Sequence, residues 1–209
     1  MYNLVKPISV GKELERRGIR ILTSREFAAL FHLNGYQAEY ALSELVGDRL
    51  LQRLKKGVYM VKTDSPNEKE IANALYRPSY ISFDYALAYY HLIPEAVYQI
   101  TSATTKSTRL FTTDTLAFGY YTIKVQAYTG YVLKQEGNRK FLIAEPEKAV
   151  VDYLYALCLG KRGRLGDRYI NDRLDISNLD QEKLLGYAKL YAWAQLDKEL
   201  GRLLGRRGI

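Results

Sequence analysis

The apolar residues of this 209-residue chain change from helical to strand spacing twice. Three segments that begin near residues 9, 23 and 36 have helical spacing, and two alternating strands, 50–54 and 58–61, follow them. A further helical stretch leads into residues 97–143, where Thr, Tyr, Val and Ile dominate between turn residues. Residues 145–159 return to helical spacing. The sequence therefore predicts an α+β fold, with a helical N-terminal domain and a mixed α/β domain that ends in a helical segment.

Local signals predict where two of the helices start. "TSRE" opens the second helix with a capping box, in which Thr23 accepts from the backbone of Glu26 and the glutamate reaches back. Ser65, Pro66 and Glu68 form a similar pattern, with a cap, a proline at the first helical position and a glutamate three residues after the cap. We therefore expect another helix to begin at Pro66.

A polar stretch, 62–70, is the candidate domain boundary. We expect one domain over residues 1–62 and a second over 66–209, β-rich over 79–143 and helical over 145–209.

The basic residues in excess lie at the two ends of the chain. The formal net charge is +8, with +4 in residues 1–65, zero in 66–159 and +4 in 160–209. A basic balance of this kind is compatible with nucleic-acid or acidic-protein partners.

Cysteine content and the lack of a signal-peptide or membrane-spanning pattern indicate the cellular compartment. Cys158 is the only cysteine and lies in the apolar run "YLYALCL", so we expect a buried thiol, no internal disulfide and a reducing compartment. We find no signal-peptide pattern at the start and no run of 18 apolar residues. We therefore expect a cytoplasmic protein with no membrane partner.

No pattern of residues points to catalysis. His32 and His91 are the only histidines, so with a single cysteine no Cys/His metal set can form. Phosphate-binding loops, nucleophile elbows and dinucleotide fingerprints are missing from the sequence. We expect no metal, no cofactor and no enzymatic activity.

The N-terminal domain has the element order of a winged helix-turn-helix, which is helix, helix, short turn, helix and hairpin. In that arrangement the last helix enters the major groove of DNA and the hairpin lies along the backbone. The candidate DNA-binding residues lie near the start of the second helix, on the polar side of the third and on the hairpin. They are Arg25, Tyr36, Gln37, Tyr40, Ser43, Arg53, Lys55 and Lys56.

Each of these residues also has a plainer interpretation. Three helices and a hairpin can serve as a protein-interaction module, and charged hairpin tips are often only solvated. Glu39, Glu44 and Asp48 also place negative charge on the proposed reading helix.

Three segments in the same order resemble the AbiEi-type antitoxins, over roughly residues 20–160. They are "ALSELVGDRLLQRLKKGVYMV", "SYISFDYALAYYHLIPE" and "IAEPEKAVVDYLY". The resemblance implies an N-terminal winged helix that represses its own operon through promoter repeats, joined to an antitoxin domain. It also implies a nucleotidyltransferase-like toxin as partner in a type IV toxin–antitoxin (abortive infection) system, with or without a stable complex.

"EPEKAVVD" within the third segment can be explained without an active site. Glu145 and Glu147 beside Pro146 suit the positive end of a helix, and Lys148 can pair with Asp152 one turn later. We expect a capping and packing role for these residues.

A basic stretch near the C-terminus has two functional interpretations beside that of a solvated loop. It could extend the DNA footprint or meet an acidic face of a toxin. Its residues are Lys161, Arg162, Arg164 and Arg168.

Our hypothesis from the sequence is an AbiEi-like antitoxin that binds its own promoter as an autorepressor. A stand-alone winged-helix transcriptional regulator without a toxin is the first alternative, and a nucleic-acid-cutting enzyme is the second. The operator sequence and the oligomeric state stay open at this point.

Overall fold

A computed structural model of the chain describes residues 6–113, 116–160 and 170–205. Within these ranges the protein is a mixed α+β fold with two β-sheets. It divides into two compact units, Met1–Leu75 and Tyr76–Ile209, here called the N-terminal and C-terminal units. The basic stretch 161–168 lies outside the described residues.

The N-terminal unit combines helices with a three-stranded antiparallel sheet. Its elements are α1 (Pro7–Arg16), β1 (Ile21–Thr23), α2 (Ser24–Leu30), α3 (Gly35–Gly47), β2 (Leu51–Lys55), β3 (Val58–Val61) and α4 (Glu68–Leu75). The strand order is β1–β3–β2. The β2–β3 hairpin is therefore extended by a strand that comes before α2 in the chain.

Apolar side chains from the helices and the sheet form the core of this unit. In the sheet, Leu22 pairs with Tyr59 and Leu51 with Val61, so these four side chains share one face. The buried members of the core are Val10, Leu14, Leu22, Phe27, Ala38, Ala41, Leu42, Leu45, Leu51, Tyr59 and Val61. The four from α3 recur at helical spacing, which leaves the opposite side of that helix to solvent.

Two features of this unit differ from what the sequence predicts. The three predicted helices and the hairpin are confirmed, but strand β1 was not predicted. The predicted start of the next helix at Pro66 is wrong, because α4 begins at Glu68. The cap is Asn67, whose side-chain oxygen accepts from the Glu70 N–H at 2.9 Å, while the Glu70 carboxylate accepts from the Asn67 N–H at 3.2 Å.

The C-terminal unit contains a six-stranded mixed sheet and four helices in its described part. Its elements are β4 (Ser79–Ile81), α5 (Phe83–Tyr89), β5 (Gln99–Thr104), β6 (Arg109–Thr112), β7 (Ala117–Thr122), a 3₁₀ turn (Val125–Ala127), β8 (Tyr131–Glu136), β9 (Arg139–Ala144), α6 (Pro146–Cys158), α7 (Gln181–Tyr191) and α8 (Ala194–Gly205). Strands β5 to β9 thus lie in the segment whose Thr, Tyr, Val and Ile content predicted strands.

The strand order of this sheet is β6–β7–β5–β4–β9–β8. The pairs β4–β9 and β5–β7 are parallel, and the other neighbours are antiparallel. The central strands are covered on both faces, since residues 100–104 of β5 and 118–121 of β7 are all buried. Strands buried on both faces are typical of a sheet with parallel pairs.

One carboxylate in the C-terminal unit accepts hydrogen bonds from four side chains. Asp152 on α6 accepts from the Tyr80 hydroxyl at 3.0 Å and from the Ser82 hydroxyl at 2.7 Å. It also accepts from Tyr191 and from Lys148, one turn earlier on α6, which confirms the predicted pair. All five residues are fully buried. We call this set the Asp152 cluster.

Burial shifts the pKa of three members of the Asp152 cluster. It raises the pKa of Tyr80 and of Tyr191 well above the usual range, and the Asp152 charge adds to this effect. Both hydroxyls therefore remain protonated donors. Burial lowers the pKa of Lys148, and the nearby Asp152 carboxylate opposes that change.

The predicted capping role at the start of α6 needs correction. Glu145 occupies the N-cap position, but its side chain bonds none of the first N–H groups of the helix. It accepts instead from the Tyr187 hydroxyl at 2.5 Å and lies 3.5 Å from the Lys183 ammonium, because α7 packs against α6. Glu147 accepts from the Asp180 N–H at 3.3 Å, at the start of α7. The packing role is thus the one observed.

The cysteine is less enclosed than the sequence predicts. Cys158 is free and half-buried at the end of α6. Burial raises the pKa of its thiol to about 11. The thiol is therefore protonated, and a weak nucleophile, at neutral pH.

None of the helices in the described ranges is long and apolar enough to cross a membrane.

We predict that Asp152→Leu lowers the free energy of unfolding by about 3–5 kcal/mol, since the Lys148 ammonium would stay buried without its counter-charge. The double variant Lys148→Met, Asp152→Leu removes both charges, so its free energy of unfolding should fall by less.

Unfolding in urea can be followed by the fluorescence of Trp193, the only tryptophan. Its ring centroid lies 5.5 Å from that of Tyr155, so the signal reports on the C-terminal unit. Arg202→Ala, at an exposed pair with Glu199, is the control and should cost under about 1 kcal/mol. An equal loss in the single and double variants would contradict the account.

Candidate nucleic-acid interface

Helices α2 and α3 each begin with a complete capping box. At α2 the Thr23 hydroxyl accepts from the Glu26 N–H at 3.1 Å and the Glu26 carboxylate accepts from the Thr23 N–H at 2.6 Å, as predicted. At α3 the Asn34 side-chain oxygen accepts from the Gln37 N–H at 2.9 Å, and the Gln37 carboxamide oxygen accepts from the Asn34 N–H at 3.1 Å. The caps fix where both helices start, and hence the short turn between them.

Asn34 is a positioning residue that the sequence analysis missed. The signal was present, because an asparagine three residues before a glutamine is a variant of the capping-box pattern. The bond also has a consequence for Gln37, which is half-buried and turned back toward the helix start. A two-pronged contact from Gln37 to adenine would need the same carboxamide oxygen.

The outward face of α3 is polar and aromatic. Tyr36 is 83% exposed and Tyr40, one turn later, is 51% exposed. Ser43 is exposed as well, and so are Glu39 and Glu44. Three of the predicted DNA-binding residues thus lie on a single solvent-facing surface, which we call the α3 face.

The tip of the hairpin is hydrogen-bonded to the start of α2. The Ser24 N–H donates to the Gly57 carbonyl at 3.1 Å, and Thr23 pairs with Val58 in the sheet. Gly57 has a φ of +75°, a turn conformation that suits glycine. The contact holds the hairpin tip (residues 55–58) beside Arg25.

Four cationic residues predicted to bind DNA lie on the hairpin or at the start of α2, beside the hairpin tip. Arg25, Arg53 and Lys56 are exposed, and Lys55 is half-buried. The pairing register shifts between Arg53 and Lys55, which indicates a bulge before the tip. We call this region, with Arg25 and the hairpin residues, the basic edge.

Three arginines near the start of the N-terminal unit form ion pairs. Arg16 and Arg17 both bind the Glu13 carboxylate, and these bonds lower the pKa of Glu13 to about 2. Arg20 lies 2.6 Å from the Asp64 carboxylate and 3.6 Å from that of Glu70. The positive charge on α1 is thus partly compensated within the helix itself.

Among residues 6–113, 116–160 and 170–205, no group of three or more His, Cys, Asp or Glu side chains could hold a metal ion.

The cavity beside the end of α5 is lined in part by the polar and charged residues His91, Glu95, Arg173 and Asp175. Two of these are already joined, because Arg173 binds Glu95 and Asn171 donates to the same carboxylate. These bonds join the segment after α5 to the segment around Asn171 and Arg173, and they account for two of the charged residues of the cavity in structural terms.

Comparison with known sequences adds no assignment to this geometry: no protein-family model matches the chain, and a search of curated proteins finds no match.

Proposed function

We propose that the protein is a sequence-specific double-stranded DNA-binding protein that represses its own promoter, with the N-terminal unit acting as a winged helix-turn-helix. The observation that carries this proposal is the arrangement α1–β1–α2–α3–β2–β3, in which the β1–β3–β2 sheet holds a cationic hairpin beside the start of α2. A capped α3 with an exposed polar face follows α2 after a short turn.

Each part of this interface has a separate role. The α3 face lies in the major groove, which is wide enough for one helix and shows a distinct pattern at each base pair. The basic edge contacts phosphates and supplies the part of the affinity that does not depend on sequence. Arg25 and the hairpin tip lie together, so they bind neighbouring stretches of one backbone.

The acidic residues of α3 affect non-specific DNA binding. Glu39 and Glu44 repel phosphates, so the helix adds little to non-specific binding. Affinity for any DNA depends on the basic edge, and discrimination between sequences depends on the α3 face. This division favours a protein that binds weakly except at its operator.

We propose in addition that the C-terminal unit opposes a nucleotidyltransferase-like toxin. Support for this part comes from the resemblance of residues 20–160 to the AbiEi-type antitoxins. The motif "EPEKAVVD" lies at the start of α6, where its residues bind α7 and the Asp152 cluster. We infer that the motif preserves the architecture of the unit, and that residues elsewhere on its surface oppose the toxin.

We predict that Lys55→Ala, Lys56→Ala weakens binding to all DNA sequences and lowers the salt slope of log K by about 1.8, since each phosphate contact contributes ~0.9. The measurement is a fluorescence-anisotropy titration of the full chain at several salt concentrations. Lys134→Ala, Lys140→Ala removes two exposed lysines from the C-terminal unit and is the charge-matched control, which should leave the slope unchanged. Equal slopes for both double variants would rule out the hairpin as a phosphate contact.

We predict that the full chain binds a fragment of about 200 base pairs from its own promoter on the order of 10³-fold more tightly than scrambled DNA of equal length, as operator-binding proteins do. Gel-shift titration at two salt concentrations measures the ratio. Equal affinity for both fragments would contradict the autorepressor proposal. Binding to neither would leave the N-terminal unit as a protein-interaction module.

The toxin proposal has its own test. Expression of the chain should restore growth to cells that express an adjacent nucleotidyltransferase gene from an unrelated promoter. Lys55→Ala, Lys56→Ala should restore growth equally well, since the DNA-binding residues lie in the other unit. Failure of the unaltered chain to restore growth, or the lack of such a neighbouring gene, would favour a stand-alone regulator.

A further inference from the structure

We infer that Glu39 is a specificity-determining residue of the α3 face and selects cytosine at one position of the bound DNA. This inference rests on the proposed DNA-binding function, and it names the base chemistry that the site reads.

The chemistry of the α3 face limits which bases it can select. Helix α3 contains no lysine or arginine, so the usual two-pronged contact from a cation to guanine is unavailable to it. Gln37, the residue suited to adenine, uses its carboxamide oxygen to cap the helix. The remaining polar groups of the face are hydroxyls and carboxylates.

Glu39 is the carboxylate placed to reach a base. It lies in the second turn of α3, and the N-terminal residues of a recognition helix are those that contact base edges. Its side chain is exposed, and within the described part of the chain it forms no hydrogen bond or ion pair. A contact to DNA would therefore break no bond between Glu39 and the described residues.

An ionised carboxylate in the major groove can only accept hydrogen bonds. Thymine O4 and the N7 and O6 atoms of guanine are acceptors and would repel it. Adenine offers one donor at N6 beside the N7 acceptor, whereas cytosine offers its N4 amino group without a neighbouring acceptor on the same base. Cytosine is therefore the base that Glu39 selects.

The test is selection of the full chain on a random double-stranded DNA library, followed by sequencing. The unaltered chain should select cytosine at one position by about 10-fold over the other bases, within the range of a good base contact. Glu39→Gln keeps the size of the side chain and adds an amide donor, so preference at that one position should change to adenine. The salt slope should stay constant, because Glu39 contacts no phosphate.

Glu44→Gln is the matched control, because it removes the same charge from the exposed side of α3 in the second half of the helix. It should raise affinity for all sequences slightly and leave base preference as in the unaltered chain. The inference is overturned if Glu39→Gln and Glu44→Gln both keep the original preference and raise affinity alike. It also fails if the unaltered chain selects no sequence, and in that case the proposed function fails with it.

Discussion

The C-terminal unit depends on one buried carboxylate that joins segments far apart in the chain. Asp152 binds Tyr80, Ser82 and Tyr191, which are 72, 70 and 39 residues away, and Lys148 on its own helix. Strand β4, the start of α5, α6 and α7 therefore meet at a single side chain. Since removal of one partner from a buried ion pair costs several kcal/mol, the cluster makes the relative placement of these segments specific.

In the N-terminal unit, by contrast, the charged side chains lie outside the core. Its core is apolar, and several of its polar side chains cap helices or form ion pairs outside that core, as Glu13 does with Arg16 and Arg17. The basic edge and the acidic α3 face remain outside that core. A buried charge stabilises a fold only with its partner in place, whereas an exposed charge is available for a ligand. This difference supports the proposal that the N-terminal unit, if the protein binds DNA, provides the binding surface.

The sequence was informative where structure depends on neighbours in the chain. The α2 capping box, the hairpin and the Lys148–Asp152 pair were all predicted, because each is set by residues within about ten positions of one another. Strand β1 was missed because three residues show no clear alternation, and only pairing with β3 makes them a strand. The Lys148–Asp152 pair was predicted because its two residues are close in the sequence. Its burial and its bonds to Tyr80 and Tyr191 were not predicted, because they depend on residues far away in the chain.

For the interface, the limit lies in a hydrogen bond of Gln37 that its position in the sequence does not show. The sequence predicted Gln37 as a DNA-binding residue from its place on the polar side of the helix. The structure gives that side chain a competing use, because the same carboxamide oxygen caps α3. A side chain that caps a helix is poorly placed to contact a base, since that contact would compete with the capping hydrogen bond. In the proposed interface, base selection would then depend on later residues of α3, such as Glu39, which forms no such bond within the described ranges.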